Sequence, residues 1–437
     1  MADGIAFEKL GVQSAAILTD VFTRTGDAMA RAQGMPGYRY ALVPHPVSSL
    51  SPDECAGRAG EVLSQVLTIL GLEDGGDTQA PAGAPGVGET SPPAGDRAFS
   101  VENLTAQQVD DFQRVAEYYF EQGWTDGLPV VPVTADTVRA FVERSRRDPQ
   151  EVIATVDHLG TRCTVELAAA AAAMAGCRAE HFGVVLAAVE AIQPHLSVGF
   201  FQSTTGQGEL LIVNGPVRHE LGFNSGASVF GPGFRANATI GRAVRLVAMN
   251  ALGLRPQEFD QATQGTPAKY GCCIAENEEE SPWEPLHVER GWAPGTSVVT
   301  ASLARSTLAI ENRSSNRPEE ILRTIADSMS YAGVSRFGKG HVVVLGPEHA
   351  QLVAGQGWSR EDVRRFLWDH WGRPAGEVRR WGVYGEDGAE QLGDDGAFVR
   401  FGDSPDGILL VVAGARNAGV STLVPTVRPM YESREVR

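Results

Sequence analysis

Two apolar runs, SAAILTDVF (14–22) and YRYALVPHP (38–46), decide how this chain begins to fold. Each ends on a polar or proline break, as a short buried strand does. Ile5, Phe7 and Leu10, around Glu8 and Lys9, place the end of an amphipathic helix before the first run, and Gly11 stops it. Between the runs, 23–34 reads as a helix closed by Gly34, and Pro44 and Pro46 halt the second strand. Ser51-Pro52-Asp53-Glu54 is a capping box with proline in the first helical position, and it opens a helix over 51–70. Val62, Val66, Ile69 and Leu70 form the apolar stripe of that helix.

Helix, strand, helix, strand, helix predicts a small, Rossmann-like open sheet of parallel strands with crossover helices. It opens on a helix, where a βαβ layer places a strand and its catalytic loop first. The expectation is therefore a truncated domain over 1–74 whose sheet a second subunit or partner chain completes. Residues 75–100 are rich in Gly, Pro, Ala, Thr and Ser with almost no bulky apolar side chain, the composition of a linker. A larger α/β domain is expected over 101–437. It starts with a helix at 105–122, capped by Thr105 and Gln108, followed by a strand at 127–133. A buried alanine helix at 164–177 and a helix at 179–192 come next. Strands are read at 208–216, 296–302, 341–346 and 408–413, with helices at 318–331 and 359–372.

The chain has 437 residues, enough for a large core, with 37 basic and 54 acidic side chains and a net charge of −17. That balance argues against nucleic acid and against an anionic membrane as partners. No apolar run is long enough to span a bilayer, and the amino-terminal segment has no signal-peptide pattern. Five cysteines are too few for a disulfide framework, so a reduced, cytoplasmic setting is expected.

Two stretches concentrate chemistry. The first runs from Asn214 to Asn250, NGPVRHELGFNSGASVFGPGFRANATIGRAVRLVAMN. Strand, glycine-rich loop and helix aim backbone N–H groups at an anion. Asn214, Asn224, Ser225, Arg235, Asn237 and Arg242 are the candidate binding residues for a carboxylate or phosphate, with Asn237 or Thr239 as the helix cap. The glycines match neither a dinucleotide fingerprint nor a P-loop. The second stretch is KYGCCIAENEEESPWEPLHVERG (269–291). Cys272 and Cys273 face opposite sides of any strand they occupy, so one of them is the candidate nucleophile or redox thiol, activated by Lys269. Glu276 and His287 are the candidate proton carriers. Glu276, Glu278, His287 and Glu289 are the alternative, a hard-metal ligand set, although no zinc spacing occurs. Asp126 and Asp157-His158 read as turns, Cys163 and Cys177 as core, and His341 and His349 lack an evident partner. GARNAGVS (414–421) follows a strand as a Walker motif does, but Val420 stands in the lysine position and excludes it.

AFEKLGVQSAAILTDVF (6–22) and GMPGYRYALVPHPVSSLSPDE (34–54) resemble the UGSC or CGSC family, named for a selenocysteine- or cysteine-containing motif. FGPGFRANATIGRA (230–243), ENEEESPWEPLHVERG (276–291) and GHVVVLGPEHAQLVAGQGWSREDVRR (340–365) are similar to the long partner region found with such proteins. The resemblance implies a thiol–disulfide or reductase-like setting, with the motif just before the first helix, where this chain starts. Together these readings give a small-molecule enzyme, an oxidoreductase or lyase with its cofactor left open, acting on an anionic substrate. A metal-dependent lyase or hydrolase and a non-catalytic subunit of a larger complex stand as alternatives.

Overall fold

The computed structural model describes residues 1–72 and 109–437, apart from 46, 48–49, 198–200, 202–203, 257–259, 261 and 333–338. The expected linker and the Thr105–Gln108 cap lie outside the described residues. The chain divides into two compact units. One holds Met1–Glu89 with the short segments Glu311–Arg317 and Arg416–Val420, and the other holds the remainder.

In the first unit, α1 (Ala2–Lys9), β1 (Ala16–Thr19), α2 (Thr23–Ala32), β2 (Tyr40–Val43) and α3 (Pro52–Ile69) follow the order the sequence predicts. β1 and β2 pair in parallel, with Ala16 opposite Tyr40 and Thr19 opposite Val43. The Ser51 hydroxyl and the Glu54 carboxylate exchange hydrogen bonds with each other's backbone N–H at the start of α3. From the same helix, the Gln65 amide accepts from the Leu42 N–H and donates to the Leu42 carbonyl, each at 3.0 Å. A side chain thus occupies the outer edge of β2, which the sequence leaves open.

The second unit is built in four layers. In chain order its elements are α4 (Val109–Glu121), α5 (Ala135–Ser145), β3 (Val152–Val156), β4 (Thr161–Thr164), α6 (Val165–Ala175), α7 (Phe182–Ser197), β5 (Gly208–Asn214), α8 (Val217–Glu220), α9 (Arg235–Asn250), β6 (Cys273–Ala275), α10 (Leu286–Glu289), β7 (Val298–Ala304), β8 (Leu308–Glu311), α11 (Pro318–Tyr331), β9 (Gly340–Leu345), α12 (Pro347–Gly355), α13 (Arg360–His370), β10 (Gly372–Pro374), β11 (Phe398–Arg400), β12 (Ile408–Val412), β13 (Val420–Thr426) and β14 (Glu432–Glu435), with two short helices between β10 and β11. One sheet has the order β14-β7-β5-β6 and the other β12-β9-β13-β8.

Alternation along the strands explains the layering. Leu211 and Val213 of β5, Cys273 and Ala275 of β6, and Ala301 and Leu303 of β7 point into a core shared with α6, α7 and α9. Leu210, Ile212 and Ile274 point the other way, against Val342, Val344, Leu409, Val411 and Val424 of the second sheet. The far face of that sheet packs on α11, α12 and α13 through Val343, Leu345, Leu410 and Leu423. Covered on both faces, β5 is buried at every position, and that is why it reads as an unbroken apolar run. Thr164 accepts from the Leu167 N–H at the start of α6, and alanines let that helix lie close to α9.

One expectation changes. Residues 127–133 form no strand, because Pro129 and Pro132 remove the donors a ladder needs, and the Val131 N–H donates to the Met174 carbonyl instead. A hairpin, β3–β4, turns at Asp157–Gly160, where Gly160 takes φ 64°. After Gly414 the chain continues as a strand rather than a helix, consistent with excluding the Walker reading.

Candidate functional site

The two stretches that concentrate chemistry meet at the carboxyl ends of the parallel pair β5 and β6. Asn214 is the last residue of β5 and Glu276 the first beyond β6, and both project toward the second sheet. Asn277 ties this end of the first sheet to the second: its N–H donates to the Val412 carbonyl (2.7 Å) and its side chain to the Gly414 carbonyl (2.9 Å).

Glu276 is completely buried. Its Oε2 accepts from Asn214 Nδ2 (2.5 Å) and from the Leu286 N–H at the head of α10 (2.7 Å). Its Oε1 faces Arg360 Nη2 at 3.3 Å. Burial raises the Glu276 carboxyl above the ordinary carboxylate range and outweighs Arg360, the Leu286 amide and Asn214, all of which pull it down. Glu278 accepts from the Gly215 N–H (2.7 Å) and Asn214 Nδ2 (3.0 Å), and pairs with Arg218 at 2.9 Å. Arg218, itself buried, donates to the Glu276 carbonyl (2.8 Å) and forks onto the half-exposed Glu279 at 2.9 and 3.1 Å. Against the opposing effect of burial, Arg218 and His219 hold the Glu279 carboxyl down at about 2. Arg360 also binds Glu289 at 2.7 Å, with Arg364 on the same carboxylate.

His287 lies within the cluster, almost fully buried, with Nδ1 3.8 Å from Glu278. Burial lowers its proton affinity, so the ring is neutral at pH 7. Neither ring nitrogen has a hydrogen-bond partner. Asn214 Oδ1 and Arg360 Nε are buried and unpartnered as well. Buried polar atoms are nearly always satisfied, so this cluster is the candidate site.

The remaining candidate residues have other positions. α9 begins at Arg235 with Phe234 as its cap residue, and neither Asn237 nor Thr239 caps it. Asn237 instead exchanges hydrogen bonds with the backbone of Asn224 (2.9 and 3.0 Å) and donates to the Cys273 carbonyl (3.2 Å), clasping loop, helix and strand. The Ser225 carbonyl accepts from the Gly414 N–H. Arg242 forms a fork with Asp126, both bonds at 2.8 Å, and also holds the Leu128 and Pro129 carbonyls. Of this set only Arg235 is exposed at the helix start without an ion pair among the described residues.

Cys272 and Cys273 do face opposite sides, as the strand reading requires. Burial pushes the Cys272 thiol up to about 12 and Cys273 well above its usual value. Lys269 does not activate either one, because its ammonium is paired with Asp260 at 2.5 Å. Cys273 points to the helices and Glu276 to the second sheet, so they do not share a cavity. The expected ligand set is also corrected: among the described residues no group of three His, Cys, Asp or Glu side chains is placed to hold a metal ion, and Glu289 turns to Arg360 and Arg364.

The UGSC family model matches residues 1–72. Comparison with curated proteins and with solved structures gave no match. The UGSC match stops before the second unit, so the strand-end cluster is read from its own residues. No helix among the described residues is long and apolar enough to cross a membrane.

Arg218 and Arg360 are the site residues the sequence reading passed over. Arg218 comes four residues after β5 ends, at the mouth of an expected site. Arg360 sits in the first turn of a helix, where the dipole disfavours a cation, and such placement signals a carboxylate elsewhere.

Proposed function

We propose that the second unit is a small-molecule enzyme whose chemistry is proton transfer at the strand-end cluster, on a substrate bearing a carboxylate or phosphate. The supporting observation is the group of unpartnered buried atoms, Asn214 Oδ1, His287 Nδ1 and Nε2, and Arg360 Nε, around a carboxyl with raised proton affinity. Glu276, whose proton affinity is raised, is the donor, and His287, whose affinity is lowered, is the acceptor; separating the proton affinities of two such groups is how acid and base roles are assigned at one pH. The substrate anion binds Arg218 in place of Glu279, the most exposed of its carboxylate partners. Ligands of open α/β sheets sit outside the carboxyl ends of strands, and this cluster has that position. Thiol chemistry has less support, since burial disfavours both thiolates.

The test incubates purified protein with a panel of carboxylate and phosphate metabolites and follows conversion by mass spectrometry. Turnover by the wild type that falls about 10²–10⁴-fold in Glu276→Gln is the expected result. Conversion that is undiminished in Glu276→Gln removes the proposal.

A second reading concerns the first unit. Phe7, Leu10 and Ile17 are more than half exposed beside its two-stranded sheet. A partner subunit or second copy that covers them is the corresponding proposal, tested by light scattering on wild type and Ile17→Lys. A single monomer mass for both counts against it.

A further inference from the structure

Asn214 stands between the two arginines of the strand-end cluster. Its Nδ2 donates to Glu276 Oε2 at 2.5 Å and to Glu278 Oε1 at 3.0 Å. The other oxygen of each carboxylate meets an arginine. Arg218 Nη2 lies 2.9 Å from Glu278 Oε2, and Arg360 Nη2 lies 3.3 Å from Glu276 Oε1. Glu276 Oε2 and Glu278 Oε1 each accept a backbone N–H as well, from Leu286 and Gly215, both at 2.7 Å. Both oxygens are thus acceptors, and the bonds to them fix the orientation of the Asn214 amide and use both of its hydrogens.

What remains is Asn214 Oδ1, which can only accept. Asn214 is completely buried, and among the described residues nothing donates to that oxygen. Arg360 has the opposite need. Its Nη1 bonds Glu289 and the Leu410 carbonyl, and its Nη2 bonds Glu276 and the Glu284 carbonyl. Its Nε, a donor only, is left buried without an acceptor. These two unmatched atoms belong to the residues that flank the Glu276 carboxylate, one on each oxygen. A group that satisfies both must donate to Asn214 and accept from Arg360. A hydroxyl does both. A keto oxygen accepts only, and an ammonium donates only and would face the Arg360 guanidinium.

We infer that the substrate is a hydroxy acid, whose carboxylate or phosphate binds Arg218 and whose hydroxyl, beside it, donates to Asn214 Oδ1 and accepts from Arg360 Nε. The assignment rests on the reading of Arg218 as the anion site, where Glu279 is the carboxylate to be displaced. Asn214 and Arg218 hold opposite oxygens of the one Glu278 carboxylate, so the groups bound to them belong to a single small fragment. An acid without the hydroxyl leaves two buried polar atoms unpaired, and a site built to bond a hydroxyl rejects such an analogue on that ground.

Calorimetric titration of the full chain with matched acids tests this. Both enantiomers of lactate are compared with propionate, pyruvate and alanine, malate with succinate, oxaloacetate and aspartate, and glycerol phosphate with propyl phosphate. In at least one set the hydroxy acid should bind about tenfold or more tighter than its analogues, each of which leaves Asn214 Oδ1 or Arg360 Nε unpaired. Glu279→Ala removes the half-exposed carboxylate that competes for Arg218, so it should tighten binding of every acid several-fold and keep the order within a set. Equal affinity across each set, with tightening in Glu279→Ala, leaves the anion on Arg218 and overturns the hydroxyl assignment alone. A hydroxyl preference that Glu279→Ala does not move puts the binding elsewhere and overturns the assignment too. Binding by none of the acids overturns the anion reading of Arg218, and the hydroxy-acid assignment with it.

Discussion

Glu276 and Glu209 occupy opposite ends of one parallel and antiparallel sheet, both buried and both with raised proton affinity. Their surroundings differ. Glu276 accepts from an amide, a backbone N–H and a guanidinium, and the atoms left unpartnered beside it belong to other residues. No other residue donates to the Glu209 carboxylate. A carboxyl held by three donors keeps its position in either protonation state, which suits repeated proton transfer. A carboxyl with none from other residues is pushed toward its neutral form by burial. The carboxyl ends of β5 and β6 favour the first arrangement, because the head of α10 supplies the Leu286 N–H there.

The largest expected difference comes from breaking the charge pairs at the two ends. Arg360→Leu removes the buried cation that Glu276 and Glu289 share, and removing one partner of a buried pair costs about 3–5 kcal/mol. Lys269→Met leaves Asp260 paired with Arg245. The loss there is one charge-assisted hydrogen bond, about 1.5–3 kcal/mol. Urea unfolding of both variants at pH 7 measures the two values. Equal losses would mean that Asp260 depends on Lys269 as heavily as Glu276 depends on Arg360, and the contrast between the two ends would fail.

How much of this was legible follows from the range of the interactions. The first unit is carried by local signals: the Ser51–Glu54 box, Gly34 and the paired apolar runs each fix a neighbouring element, and all appear in place. In the second unit β5, β9 and β12 are legible because sheets covered on both faces leave continuous apolar runs. β13 and β14 are not, since their strand character comes from pairing with β9 and β7 across long sequence separations. Glu276 and His287 stood out by composition, but Arg218 and Arg360 join them only through the sandwich. Asn237 was misread for a physical reason as well. Its sequence context matches a helix cap, yet three hydrogen bonds to Asn224 and Cys273 commit it to holding the loop. The anion reading at α9 therefore reduces to Arg235 alone.

The smallest effect separates the two faces of the same sheet. Cys272→Ala and Cys273→Ala each delete one sulfur, but Cys273 lies in the closed core beneath α9 while Cys272 is partly exposed on the side of the second sheet. A free buried cysteine acts as a small apolar side chain, so Cys273→Ala should lower stability by about 1 kcal/mol and Cys272→Ala by less than half of that. Thermal unfolding of the two variants gives the order. Any conversion found with the metabolite panel should survive both substitutions, because the acid–base groups lie on the far side of β6 from Cys273 and bond to neither thiol. Loss of conversion in Cys272→Ala with stability intact would return the thiol to the reaction and displace Glu276 from the centre of it.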